Sequence, residues 1–248
     1  MRVRLSTLNM TLLIIATMLI GVAMGMNFRK PVTVPEQNGL APENGLFSVG
    51  MTILAVDDKG GGVATDLTVE TKPGNGKVLA NIDQLLFFVD TQQSIQVARE
   101  VAINYTGLNP RRTDLMYNID TPSNVSLVGG PSAGAAMTIA TIAALKHEAP
   151  RSDAAITGSI SPDGSIGQVG GVYEKAKAAK ARGISLLLVP SGEGTETSVV
   201  PVETCDQKTG YVYCETTYNR TIINIGSSLG MDVREVSDIR EAASLFGL

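Results

Sequence analysis

Apolar positions along this 248-residue chain follow three different patterns. The first is unbroken: no charged residue occurs from Leu5 to Phe28, and Met10 to Met26 is almost wholly apolar. About twenty such residues in a helix rising about 1.5 Å each cross the roughly 30 Å hydrocarbon core of a bilayer. Residues 1–28 are therefore expected to form a single N-terminal transmembrane anchor. A cleaved signal peptide is the rival reading, because Arg2 and Arg4 form a charged n-region and Gly21 to Gly25 supplies small residues. Residues 29–45, with Pro31, Pro35, Gly39, Pro42 and Gly45 among polar neighbours, read as a linker.

The second pattern mixes two periods. Leu46 to Val56 and Val63 to Thr71 read as strands joined by a turn at Gly60-Gly61-Gly62. A helix follows Asp90, with Ile95, Ala98, Ala102 and Tyr105 on one stripe and Gly107 as its stop. Asp114 to Asp120 is a short strand candidate.

The third pattern is more regular. Ala135 to Leu145 is apolar on nearly every side, which predicts a buried helix. Ala154 to Ile160 and Ser165 to Val169 are expected to pair across a turn at Pro162-Asp163-Gly164. Val172 to Arg182 is helical with Gly183 as its end, and Ile184 to Val189 is a buried strand closed by Pro190. Residues 191–227 are polar and turn-rich, an excursion from the domain. Met231 to Val236 and Ser237 to Phe246 predict a last strand and helix with Ser237 as N-cap. The fold class is α/β of the mixed α+β kind, with one domain over 46–248, since the alternation is too irregular for a doubly wound sheet.

Composition narrows the function classes. With 44% hydrophobic and 18% charged residues the chain is neither a disordered tail nor a multi-span membrane protein. A net charge of −4 and only 4% aromatics leave no nucleic-acid surface. Cys205 and Cys214 lie close together, compatible with a disulfide in an oxidising compartment or with two free thiols. Sequons at Asn104, Asn124 and Asn219 fit exposure outside the cell. Arg2 and Arg4 before the anchor are balanced by Arg29 and Lys30 after it, so the positive-inside bias is weak. The expected location is the cell membrane, single-pass, with the domain extracytoplasmic.

Candidate chemistry starts at Gly129-Gly130-Pro131-Ser132-Ala133-Gly134, which opens the apolar helix. A serine there gains from the positive end of the helix and from backbone N–H groups able to hold an oxyanion. On local pattern alone, capping is the favoured role for Ser132. Gly130 to Gly134 also matches G-x-S-x-G, but that elbow needs a later acid and histidine. The only histidine, His147, lies fifteen residues on, about 20 Å along the helix. A histidine triad fails, and His147 reads as a solvent-facing helix-end residue.

A serine nucleophile then needs another base, and lysine is the known substitute, provided burial lowers its pKa. In the helix from Val172, the apolar stripe runs through Val172, Ala176 and Ala179. At about 100° per residue, Lys175 lies roughly 60° from the stripe centre, Lys177 about 140° and Lys180 about 80°. Lys175 is best placed to point inward, although pattern alone favours a lysine snorkelling at the surface. One histidine and two cysteines cannot assemble a zinc site. Gly74-Asn75-Gly76-Lys77 lacks phosphate-loop spacing, so no cofactor is expected.

Together these segments resemble the proteolytic domain of Lon proteases, from roughly Leu46 to the C-terminus and most specifically between Gly129 and Pro190. Gly130-Pro131-Ser132-Ala133-Gly134 is similar to the family's nucleophile segment, Arg151 to Gly158 to its following strand, and Gly164 to Gly183 to its lysine segment. The resemblance implies a serine endopeptidase with a Ser132/Lys175 dyad, Thr157 supporting the lysine, and an oxyanion site along Gly130, Pro131 and Ala133. It implies unfolded or peptide-like substrates and a homo-oligomer, a hexameric ring. Two departures stand out. Gly129 occupies a position often acidic in the family, and no ATP-driven unfolding module is expected, so cleavage would be ATP-independent. The alternatives are a catalytically silent Lon-like scaffold and a Ser–Lys amidase or esterase.

Overall fold

A computed structural model describes residues 46–81, 89–108, 110–120 and 130–248, which belong to one compact unit. The expected anchor at 1–28 and linker at 29–45 lie outside the described residues; among those described, no helix is long and apolar enough to cross a membrane.

Strands β1 (Phe47–Val56) and β2 (Gly62–Pro73) form an antiparallel hairpin, as the alternating pattern predicted. β4 (Thr113–Asp120) adds antiparallel to β2, and the short β3 (Val78–Ala80) adds parallel to β4, giving the order β1-β2-β4-β3. Asp114 holds the β2–β3 connection: its carboxylate accepts from the N–H groups of Asn75 and Lys77, both at 2.8 Å.

One helix packs on this sheet, and a second packs against that helix. α1 (Val89–Thr106) buries Ile95, Ala98 and Ala102 and stops at Gly107, whose N–H reaches the Ile103 carbonyl with φ at +68°. α2 (Gly134–Lys146) is buried on every side from Gly134 to Ala144. It packs against α1, β1 and β2 and is the centre of the main core. Its two interior threonines satisfy themselves locally: Thr138 donates to Gly134 O and Thr141 to Met137 O. His147 ends it in the left-handed region, exposed and stacked on Phe47.

The second half carries a parallel sheet of order β11-β8-β5, from β5 (Ala154–Ile156), β8 (Leu186–Pro190) and β11 (Asp232–Val236). Here the local reading needs correction. Ala154 to Ile156 pairs with Leu186 to Leu188, and only β6 (Ser159–Ile160) pairs with β7 (Ile166–Gly167). α3 (Val172–Ala181) crosses over to β8, its apolar face closing a second core with Leu54, Ala155, Leu187 and Val189.

Residues 191–227 do leave the domain, but as regular structure. β9 (Thr195–Lys208) and β10 (Tyr211–Asn224) form a long antiparallel ribbon joined by the Cys205–Cys214 disulfide. α4 (Ile225–Leu229) returns the chain to β11. α5 (Ile239–Phe246) is capped by Asp238 rather than Ser237. The Asp238 carboxylate accepts from Arg240 and Glu241 N–H, while Glu241 accepts from the Ser237 N–H.

Candidate active site

Ser132 lies in a single 3-10 turn, Pro131–Ala133, that delivers the chain into α2. Ala133, not Ser132, holds the N-cap position, and no side chain caps the helix. The Ser132 hydroxyl therefore has no capping duty. Among the described residues, Ser132 Oγ has no hydrogen-bond partner.

The turn is fixed from below by the strand end after β5. Gly158 N–H donates to Ser132 O at 2.9 Å, and Ala135 N–H donates back to Gly158 O at 3.0 Å. The fully buried Thr157 directs its hydroxyl to the same Ser132 carbonyl at 3.4 Å. Thr157 is itself anchored by its N–H to Leu188 O on β8. Gly134 is needed here for space: a Cβ would sit 2.8 Å from Ile160 Cγ2 and 3.0 Å from Ile160 N. The serine turn, β5, β6 and β8 are thus one rigid assembly.

α3 is amphipathic in the sense its lysines implied. Lys177 is exposed, pairs with Glu174 at 2.5 Å and lies over the Tyr173 ring. Lys180 is also exposed and reaches the Leu229 carbonyl. Lys175, by contrast, is only 2% exposed. Among the described residues its amine has no hydrogen-bond partner. A buried ammonium without partners is costly, so burial pulls the Lys175 pKa down from 10.5 to about 8. Glu193 opposes that shift.

Glu193 is a residue that sequence reasoning missed. It follows β8 in a turn closed by its N–H to Pro190 O. Both carboxylate oxygens accept from the Val169 N–H, at 3.0 and 3.2 Å, tying this turn to the segment that leads into α3. Partial burial pushes its pKa up, against the Val169 hydrogen bond and the Lys175 charge. Nothing in the local pattern around Gly192-Glu193-Gly194 points to it, since its partners are far off in sequence.

A second glycine sets how close α3 can come. A Cβ on Gly62 would fall 1.9 Å from Glu174 O and 3.1 Å from Lys175 N, so β2 meets the helix backbone directly. The turn reading of Gly60-Gly61-Gly62 holds for Gly60, with φ at +80°, but Gly62 is the first residue of β2.

The sequence profile of the Lon protease (S16) C-terminal proteolytic domain matches residues 46–219, which carry both Ser132 and Lys175. The chain belongs to this family. It is 31% identical over 147 residues to the Lon protease of Phenylobacterium zucineum, covering 58% of this chain and 18% of that one. It is 32% identical over 161 residues to the Lon protease of Escherichia coli K12, covering 61% and 19%. Over a shorter stretch of 90 residues it is 39% identical to the Paraburkholderia phytofirmans Lon protease, 36% of this chain and 11% of that one. The chain thus matches less than a fifth of the length of these Lon proteases.

Within this Lon domain, Gly130 is extended and Pro131 is exposed. Pro131 can shape an oxyanion site but cannot donate to it, because proline has no N–H. The N–H groups of Gly134 and Ala135 are already committed to Pro131 O and Gly158 O. Gly129 lies outside the described residues. Among the described residues, the one cluster with ligand spacing is Glu203 with Cys205 and Cys214, whose sulfurs are joined to each other.

Proposed function

We propose that this Lon-family chain is a serine endopeptidase in which Ser132 is the nucleophile and Lys175 its general base. The observation that carries this reading is the burial of Lys175, 2% exposed, on the face of α3 that closes the second core, where desolvation lowers its pKa to about 8. A lysine at its ordinary value of about 10.4 is almost wholly protonated at neutral pH and accepts no proton. At about 8, a useful fraction is neutral.

In this scheme the Ser132 oxygen bonds to the scissile carbonyl carbon as its proton passes to Lys175 Nζ. The carbonyl oxygen becomes an oxyanion held by backbone N–H groups of the Gly130–Ala133 turn, with Pro131 only shaping it. Collapse breaks the C–N bond, and the Lys175 ammonium returns the proton to the leaving amine. Water then attacks the acyl-serine carbonyl as Lys175 takes its proton. Collapse breaks the ester C–O bond while the Lys175 ammonium returns the proton to Ser132 Oγ, releasing the acid product. Thr157 is a positioning residue: its hydroxyl donates to the Ser132 carbonyl. Its oxygen lone pairs would accept from a Lys175 N–H as the dyad assembles, a bond not formed among the described residues. No cofactor enters. Cleavage proceeds without ATP on unfolded or peptide-like substrates, by a homo-oligomer tethered at the membrane with its domain extracytoplasmic.

The test uses the full chain and an unstructured protein substrate in ATP-free buffer. Cleavage is expected, with a fluorophosphonate probe labelling Ser132. Ser132→Ala and Lys175→Ala should each abolish turnover. Retained turnover in Lys175→Ala removes the dyad; ester hydrolysis without peptide cleavage favours the amidase or esterase reading; no turnover of either kind favours the silent scaffold.

A further inference from the structure

The β9–β10 ribbon is a large feature that the peptidase chemistry leaves unused. Its fourteen-residue strands give an arm about 45 Å long, paired, among the described residues, only with each other. An isolated two-stranded hairpin is marginal in water without something to cover it. Its apolar side chains are nevertheless open on both faces. Tyr218 is 68% and Ile222 74% exposed on one, with Val200, Tyr211 and Tyr213 exposed on the other.

Its two edges are not equivalent. Pro201 lies opposite Tyr218. Proline has no N–H, so this pair cannot exchange cross-strand bonds, and its backbone groups point outward. By alternation, Cys205 and Cys214 are also an outward-pointing pair, and so are Thr216, Tyr218, Arg220 and Ile222 along β10. The β9 edge is thus blunted by a missing donor at Pro201. The β10 edge keeps an uninterrupted row of donors and acceptors, with no strand beside it among the described residues.

The root of the arm lies beside the candidate active site. Gly194, the residue before β9, follows Glu193, which is bound to Val169 and acts on Lys175. The charge of the arm also selects its occupant. Glu196, Glu203, Asp206 and Glu215 outnumber Lys208 and Arg220, and the whole chain carries −4. A second copy would bring like charge against like, whereas an extended segment with apolar and basic side chains matches both the surface and the edge.

We infer that the β9–β10 ribbon is a substrate-gathering arm, whose free β10 edge binds extended, apolar and basic segments of unfolded polypeptide by strand addition and feeds them to the active site at its root. This rests on the peptidase reading, and binding separates the two. The Ser132→Ala full chain is titrated with a fluorescein-labelled unstructured polypeptide rich in valine, tyrosine and arginine. Ile225 N–H bonds to Gly194 O at the root, so the arm can be removed cleanly. Replacing residues 197–222 by Asn-Gly joins Glu196 to Ile223, which already face each other. Thr216→Pro is the gentler variant, removing one outward N–H and no cross-strand bond.

Both variants should weaken binding roughly tenfold. In active protein they should lower the ratio of kcat/KM for the polypeptide to that for a short fluorogenic peptide by a similar factor. Equal affinity in all three proteins overturns the inference. So does weakening by excision but not by Thr216→Pro, because side chains rather than the edge would then be responsible. An equal fall for both substrates with a change in sedimentation overturns it too, making the arm a subunit contact. If the chain binds the polypeptide through the arm yet cleaves nothing, the peptidase reading fails and the arm stands.

Discussion

Gly62 of β2 lies so close to the carbonyl of Glu174 on α3 that a single methyl group would overlap it, with a Cβ-to-oxygen separation of 1.9 Å. The overlap is with backbone, which cannot swing away as a flexible side chain can. Gly62→Ala should therefore displace the turn of helix that carries Lys175 or cost about 3 kcal/mol or more. Gly50 on β1 is the control: among the described residues nothing lies within 4 Å of a Cβ there, so Gly50→Ala should change stability by about 0.5 kcal/mol or less. Urea unfolding of the two variants, compared with turnover, reads both effects.

Lys175 should dominate the pH dependence. In the proposed dyad its neutral form is the base, so kcat/KM should rise with pH on a limb with its midpoint at about 8. Stability follows in the same direction. Between about 8 and the ordinary 10.5, the unfolded chain holds a proton on this lysine that the folded chain has released. Unfolding then takes up a proton, so stability rises with pH through that window, is complete above it, and falls away as pH drops to 8. Lys175→Met fills the same space without a charge, and its stability should be flat across the window while activity is lost. Stability curves at several pH values for both proteins provide the check.

Segments whose burial is encoded in one short window were legible in the sequence. α2 was visible because all its faces are apolar, and α3 because its apolar stripe runs through Val172, Ala176 and Ala179 to a stop at Gly183. That stripe sets Lys175 only slightly nearer the core than Lys180, and pattern alone favours a surface lysine. Pairings between distant segments were not. Ala154 to Ile156 finds its partner some thirty residues later, in parallel, while the local turn at Pro162 to Gly164 suggested a hairpin. The β9–β10 ribbon escaped because both its faces are exposed, which removes the alternation that marks a half-buried strand. Glu193 acts through Val169 and Lys175, neither of them a sequence neighbour. Three consecutive glycines where a turn needs fewer was the available clue to the close approach at Gly62.

Glu193→Gln should move the activity limb to lower pH. The carboxylate charge favours protonated Lys175; the amide removes that charge, while its carbonyl can still accept from the Val169 N–H. A residue serving only to hold the turn would change the height of the profile and leave its midpoint in place. The measurement is kcat/KM against pH, with a midpoint shift of roughly one unit or less.

Loss of the Cys205–Cys214 bond should loosen the ribbon and spare the domain. The two cysteines are nine residues apart and face each other near the tip, and the surrounding strands are exposed along their length. Closing so short a loop contributes about 2–3 kcal/mol on a chain-entropy argument, all of it local to the ribbon. Cys205→Ser with Cys214→Ser should speed amide exchange in β9 and β10, leave α2 and β8 protected, and leave Lys175 buried.

Tyr117 and Thr141 share a buried hydrogen bond of 2.7 Å between β4 and α2, and the two ends of this bond should respond unequally to mutation. Burial pushes the Tyr117 hydroxyl up to about 12, so it stays protonated at any working pH. Thr141 has a second partner in Met137 O, but Tyr117 Oη has no other hydrogen bond among the described residues. Tyr117→Phe removes the hydroxyl and leaves Thr141 satisfied, for about 1 kcal/mol. Thr141→Val keeps the shape but strands the tyrosine hydroxyl in the core, and should cost about 1–3 kcal/mol. A larger loss in Tyr117→Phe than in Thr141→Val, measured by urea unfolding, would mean that the phenol rather than the threonine anchors this contact.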